Sequence, residues 1–350
     1  MGIGGLEEFA LAENTKLIVK DNVLAVICDN VLKTISSAIF NGGSKQVRAV
    51  LNVGVPEGYS DHSLHLDPLE LITSSAAKVG LTKDYLAMVT AAKIKNYSLV
   101  SKKSDNFSVH VAATAGCSHG ESSGEEMDVQ EILGTINIIV FIDGNPSESC
   151  MVAALITATE AKSAALRDFD VRSRYTGDSA TGSITDSVTV ASPCHGKTLS
   201  LGGPASKLGK LVGYCARHAV TEALLKQEPV WVCRSVLDRL KERHLPLEKL
   251  AAEVSKVEGL TVTADGLVEI LSKNPSAGVW LLAAVKMDDD YKKNLLPTDF
   301  TAWTEISKCF GAITQSKQNC EKLPNYDSVD LPPFIKYALI KLVKDAQSMR

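Results

Sequence analysis

YLAMVTAAKIKNYSLVSKKSDNFSVHVAATAG, residues 85–116, is the stretch on which the fold class turns. It holds three β-like runs, beginning at Tyr85, Tyr97 and Phe107, separated only by short turns. A parallel crossover needs a dozen or more residues, so runs this close favour antiparallel pairing. Working upstream, TKLIVKDNVLAVIC (15–28) reads as two strands joined at Lys20-Asp21-Asn22, a hairpin signal. VRAVLNVGV (47–55) is a further strand, and LDPLELITSSAAKVG (66–80) a helix that stops at Gly80. Downstream, GTINIIVFID (134–143) has the apolar density of a central strand. Its alternation puts Thr135 and Asn137 on one face and Ile136 and Ile138 on the other. SVTVAS (187–192) is one more strand.

Two helices complete this half. The segment around ALITATEAKSAAL (154–166) starts after Pro146 and Ser147, which suit a helix start. On it Val152, Leu155, Ile156, Thr159, Ser163 and Leu166 make one stripe, opposed by Ala154, Ala158, Ala161 and Ala165. A helix apolar all round is expected to be buried. GGPASKLGKLVGYCARHAVTEALLK (202–226) carries a second helical stripe through Leu208, Leu211, Val212, Cys215, Ala219, Val220, Ala223 and Leu224. Strands mixed with a few helices, without strict alternation, predict an α+β domain with a mainly antiparallel or mixed sheet. After about residue 228 the texture becomes helical with charged faces. The expected division is 1–227 for the β-rich domain and 228–350 for a smaller, mostly helical region whose role residue types do not reveal.

The chain has 350 residues, 45% of them apolar, with 37 basic and 41 acidic side chains and a formal charge of -4. That balance gives no electrostatic footprint for nucleic acid or a membrane surface. The start MGIGGLEEFALAENTK lacks the basic-then-apolar pattern of a secretory signal, and Leu6 stands where a myristoylation signal has Ser or Thr. No apolar run reaches the length of a membrane span. Eight cysteines lie scattered without a CxxC, and Cys28, Cys150, Cys215 and Cys233 fall in apolar patterns. A reduced, cytoplasmic protein is expected, possible homo-oligomer formation left open. Seven histidines show neither HExxH nor a paired CxxC, so no metal is expected.

Several residues invite chemistry. Glu160 and Lys162 interrupt the alanine-rich helix two residues apart, so they cannot pair with each other. Each needs its own partner, in a site or in a structural ion-pair network. Asp186 stands at the mouth of GDSATGSITDSVTVAS (177–192), where it could orient a water or simply close an Asx-turn. Asn41-Gly42-Gly43 suits a tight turn, and Arg48 and Asn52, four apart on a strand, either hold a polar ligand or form a wet face. GGPASKLGK resembles a backbone cradle in which the amides near Gly203 and Lys207 stabilise an anion, but it lacks the Walker spacing. Cys117 and His119 suggest a nucleophile and base, though close neighbours rarely align.

Taken in order, SSAIFNGG, VRAVLN, TAAKIKN, ATAG, GTINIIV, ITATEAKSAAL, TGSITDSV and GGPASKLGKLVG resemble the adenosylcobinamide amidohydrolase family. They span residues 36 to 213. After ATAG the family pattern has an apolar residue and then Ser-Asn, where this chain has Cys117, Ser118 and His119. The resemblance implies hydrolysis of the amide joining the corrin propionate to aminopropanol, yielding adenosylcobyric acid and 1-amino-2-propanol in corrinoid salvage toward coenzyme B12. It implies a small-molecule corrinoid substrate and no dissociable redox cofactor. Under that reading Asp186 or Glu160 is the general base. Lys162, Lys207 and the amides near Gly203 contact the oxyanion or propionate, and Asn41, Arg48, Asn52, Thr135 and Asn137 bind the substrate's polar periphery. A wide cleft between sheet and helices is expected for the corrin. The alternatives are a non-catalytic corrinoid-binding protein and a Cys117-dependent amidase or acyl transferase.

Overall fold

The computed structural model describes residues 6–56, 68–117, 120–126, 134–296 and 327–348. The chain divides into two compact units, Met1–Cys233 and Arg234–Arg350.

The first unit contains β1 (Glu7–Ala12), β2 (Thr15–Lys20), β3 (Val23–Ser36), β4 (Gly43–Gly54), α1 (Pro68–Lys78), β5 (Tyr85–Thr90), β6 (Ser98–Lys103), β7 (Ser108–Gly116), β8 (Thr135–Asp143), β9 (Asn145–Pro146), α2 (Glu148–Asp168), β10 (Ser187–Ser192), β11 (Thr198–Leu199) and α3 (Lys207–Gln227). The main sheet runs β1-β2-β3-β10-β8-β7-β6, with β4 pairing β3 and β5 pairing β4. β10 lies parallel to β8 and β5 parallel to β4, whereas β7 is antiparallel to both β6 and β8. The fold is therefore α+β on a mixed sheet.

The long strand β3 explains the architecture. β4 pairs along both halves of it, while on its other edge β2 pairs with the first half and β10 with the last residues. Its register with β4 shifts between Ile27 and Leu32. An irregularity of this kind bends a strand and raises its twist, which curls the sheet into two facing layers. Alternation then sorts the side chains. On β8, Ile136, Ile138, Val140 and Ile142 pack against α2 and α3. Ile139 and Phe141 face the other way, onto Leu17, Val26, Val50 and Met88 of the second layer. The outer face of that layer, with Leu51, Val53 and Ala87, is covered by Leu71, Ile72 and Ala76 of α1. Each fully buried branched side chain contributes roughly 1.5–3 kcal/mol.

The structure corrects four expectations. The run beginning at Tyr85 ends at Thr90 and joins β4 in parallel instead of pairing antiparallel with its neighbours, leaving the antiparallel hairpin to β6 and β7. Arg48 and Asn52 do not share a face. Val47 and Val50 both point into the space between the layers while Ala49 points out, so the register slips at Arg48, which is left exposed. On α2 the small side is buried throughout, whereas the large side is buried only at Leu166 and partly at Leu155. Ala154, Ala158, Ala161 and Ala165 face inward, whereas Val152 is 43% and Ile156 52% exposed. Close packing dictates this: a Cβ on Gly202 would lie 2.2 Å from the Cys150 carbonyl oxygen, so α2 and the loop entering α3 meet backbone to backbone. Finally, Cys233 is exposed, unlike Cys28, Cys117, Cys150 and Cys215, which are buried free thiols; Cys309 and Cys320 lie outside the described residues.

The second unit is helical, with α4 (Val236–Lys241), α5 (Leu247–Val254), α6 (Ala264–Lys273), α7 (Pro275–Lys292) and α8 (Pro333–Ser348). Trp280, Leu281, Phe334, Ile335 and Leu339 lie in its core. Among the described residues no helix is long and apolar enough to cross a membrane.

Candidate active site

The helix α2 is capped by Ser147, whose hydroxyl accepts from the Cys150 amide, and its buried face sets Ala154, Ala158, Ala161 and Ala165 among Cys150, Met151, Thr157 and Leu166. One charge interrupts that face. Lys162 is buried, with its side chain only 9% exposed, and its ammonium donates to Asp186 in an ion pair. Asp186 stands immediately before β10, beside the first residues of β8. Its carboxylate also accepts from the Ile136 amide at 2.9 Å, the Ser183 amide at 3.0 Å and the Ser183 hydroxyl. Four donors match the roughly four lone-pair positions of a carboxylate. Gly182 makes this closeness possible. A Cβ there would sit 2.5 Å from Asp186 Oδ2 and 2.8 Å from Lys162 Nζ.

Asp186 opens on a cavity of about 320 Å³ at the rim where the two sheet layers meet. Thr135, Thr185 and Ser187 form its polar side, and Ile39, Val55 and Met88 belong to its apolar side. The hydroxyls are ordered by their partners. Thr185 donates to the Gly134 carbonyl and pairs with Thr135 at 2.7 Å. A hydroxyl has one proton, so Thr135 must donate to Thr185, leaving the Thr135 oxygen as an acceptor. Ser187 Oγ lies 3.2 Å from Ser37 Oγ. Behind the cavity, Asn137 donates to Asn52 Oδ1 at 2.8 Å and to the Val89 carbonyl at 2.9 Å, and Asn52 donates to Thr114 at 2.8 Å. This buried polar network ties the two layers together.

Of the residues singled out from sequence, Asp186, Lys162, Thr135, Asn137 and Asn52 thus converge. The others do not reach this place. Glu160 is exposed on the outer face of α2. Asn41, in the positive-φ region, donates to the Tyr85 carbonyl and closes the turn between β3 and β4. Arg48 donates to the Asp29 carbonyl. Gly203 and Lys207 lie at the start of α3, beside Cys150 and Ala154 of α2. Lys162 is two to three turns farther along α2, roughly 12–18 Å away at 1.5 Å per residue. The GGPASKLGK segment is a packing device, in which a Cβ on Gly209 would meet the Gly203 carbonyl oxygen at 1.8 Å. The cavity is also lined mostly by strand ends and turns, with Pro68 at the start of α1 the helical residue that borders it, so it is not the cleft between sheet and helices that was expected. Ser37, Thr90, Ser183, Thr185 and Ser187 were missed; the hydroxyl-rich run TGSITDS was the signal that could have found three of them.

Cys117 is fully buried at the end of β7. Burial first, then the negative charges of Asp186 and Glu228, push its thiol up from the ordinary range. A thiol held protonated is a poor nucleophile. His119, with His62 and His65, lies outside the described residues. Among the described residues no group of three or more His, Cys, Asp and Glu side chains is arranged to hold a metal ion.

The family model for adenosylcobinamide amidohydrolase matches residues 8–230, a span that contains every residue of this site. The chain belongs to that family. By this membership it is an amidohydrolase acting on adenosylcobinamide. It is 30% identical over 213 residues to the adenosylcobinamide amidohydrolase of Methanosarcina mazei, covering 59% of this chain and 92% of the relative. It is 28% identical over 209 residues to an uncharacterized protein of Methanocaldococcus jannaschii, covering 54% and 81%. Two solved structures overlay loosely. The PH0078 protein of Pyrococcus horikoshii gives a TM-score of 0.33 at 10% identity, covering 63% of this chain and 83% of the other. The L-aminopeptidase D-Ala-esterase/amidase of Ochrobactrum anthropi gives 0.30 at 8% identity, covering 65% and 83%. Overlays this loose carry no assignment of mechanism.

Proposed function

We propose that the family reaction is carried out at the Asp186 cavity. Water attacks the amide carbon that joins the corrin propionate to aminopropanol, releasing adenosylcobyric acid and 1-amino-2-propanol in corrinoid salvage toward coenzyme B12. The observation that carries this reading is the buried Lys162–Asp186 pair opening on a cavity lined by hydroxyls. Asp186 accepts the proton of the attacking water, which displaces the Ser183 hydroxyl from Oδ1. The proton then leaves with the amine as the C–N bond breaks, so the sum is amide plus water to carboxylate plus ammonium. Lys162 positions Asp186 and supplies positive charge beside the developing oxyanion. The acceptor oxygen of Thr135 receives the amide N–H or the hydroxyl of the aminopropanol arm.

A volume of about 320 Å³ is at the lower end of small-ligand pockets, roughly 300–1,000 Å³. It suits the side arm, and the macrocycle stays outside it. The residues named here need only water as co-reactant. The test is incubation of the purified chain with adenosylcobinamide followed by mass analysis. Equal amounts of adenosylcobyric acid and aminopropanol are expected, unchanged by prior chelation. Tight spectral binding without release of aminopropanol would overturn the hydrolytic reading.

A further inference from the structure

Exposed apolar and charged residues of the α2/α3 layer remain outside the site and share one arrangement. The outer face of α2 shows Val152 and Ile156, and the loop before α3 adds Leu201, 72% exposed, beside Pro204 and Ala205, which are exposed as well. Scattered apolar residues on a surface are ordinary, but these adjoin one another: Gly202 packs on Cys150 and Ala154, which places Leu201 next to the Val152 turn. Three charges border them. Glu160 on α2, and Lys207 and Lys210 in the first turn of α3, are all exposed. None of the three makes an ion pair among the described residues.

The charges lie on opposite sides of Ile156. α2 and α3 run in the same direction, since Cys150 meets Gly202, Thr157 meets Gly213 and Asp168 pairs with Arg217. The two lysines therefore sit level with the Cys150–Ala154 turn, about one turn before Ile156, and Glu160 one turn after it; at 1.5 Å per residue each offset is roughly 6 Å. A two-fold axis in the plane of the layer, perpendicular to α2 and passing by Ile156, makes the α2 helices of two copies antiparallel. It brings the Glu160 of each copy level with the α3 start of the other, about 8–10 Å to its side, a gap that the long glutamate and lysine side chains together span. The partner charge then meets two lysines and the positive end of a helix. An isologous contact of this kind is closed and self-complementary, with an apolar centre and a charged rim.

We infer that the α2/α3 face is a homodimer interface, centred on Val152, Ile156 and Leu201 and oriented by Glu160 of each copy against Lys207 and Lys210 of the other. The inference is independent of the proposed chemistry, because no residue that it uses lines the cavity. Sedimentation velocity on the full chain reads it. The wild type is expected at twice 37.4 kDa at micromolar concentration. Ile156→Glu, and separately Val152→Lys, are expected at the single-chain mass with an unchanged far-ultraviolet circular dichroism spectrum. Glu160→Lys turns two symmetric attractions into repulsions and is expected to raise the dimer dissociation constant roughly tenfold or more. Adding Lys207→Glu and Lys210→Glu to that variant is expected to restore the dimer. A wild-type chain that sediments only as a monomer overturns the inference. So does a dimer that survives both apolar-to-charge variants, or a charge reversal without effect.

Discussion

Lys162 and Asp186 are 24 residues apart and reside on different elements, yet each solves the other's problem. A buried ammonium without a partner is costly, and breaking a buried pair from one side typically costs about 3–5 kcal/mol. Lys162→Met is therefore expected to lower the unfolding free energy by an amount in that range, read as a lower denaturant midpoint at an unchanged slope. Asp186→Asn keeps the shape of the group but removes the base, and turnover of adenosylcobinamide is expected to fall about 100-fold or more. Cys117 gives the opposite expectation. Its thiol is buried and pushed up, so iodoacetamide at neutral pH should leave Cys117 unmodified in the native chain, and Cys117→Ala should retain turnover within a few-fold. Residue type alone could place Asp186, Lys162 and Glu160 on one candidate roster. It could not separate Lys162 from Glu160, because helix phase sends two residues spaced by two to different sides, and which side is buried depends on what packs there.

At the scale of elements, the helix α2 shows why the apolar count of a stripe was a poor guide to burial. The helix was expected to be buried all round, but it is the alanine side that lets it approach both the sheet and the loop entering α3. The glycines test this directly. Gly202→Ala drives a Cβ to 2.2 Å from the Cys150 carbonyl oxygen and 2.8 Å from the Ala154 amide nitrogen, whereas Gly203 has nothing within 4 Å. Chemical denaturation is expected to show a loss of about 1–3 kcal/mol for the first and nearly none for the second, the usual span for overpacking against an unyielding neighbour. Equal effects at both positions would contradict the close-packing account. Strand order was harder to read than strand existence. β8, β10 and the hairpin of β2 and β3 stand where apolar alternation and the Asp21-Asn22 turn put them. The parallel partnership of β5 with β4 has no local signal, since the residues that pair are far apart in the chain.

Across the whole molecule, the two units carry different sensitivities. In the helical unit Asp288 of α7 accepts from the Phe334 and Ile335 amides at 2.9 Å, capping α8 from outside. Burial pushes its carboxyl up to about 6 from an ordinary 3.8, outweighing the two amide bonds. The folded unit therefore binds more protons than its unfolded chain between those values, and stability falls as pH rises through that window. The thermal midpoint of this unit is expected to drop between pH 4 and pH 7, and Asp288→Asn is expected to flatten that slope. A midpoint that instead rises in proportion to Asp288 ionisation would reverse the sign. What the sequence determined by itself was the kind of the main strands and helices, the family, and the faces of β8, because periodicity and local turn chemistry are carried by neighbours along the chain. Which helix face is buried, where β4 slips at Arg48, and how Asp186 finds Lys162 beside a cavity at the rim of the layers were decided only by tertiary structure. Those outcomes depend on close packing and charge pairing between segments that meet only once the sheet has curled.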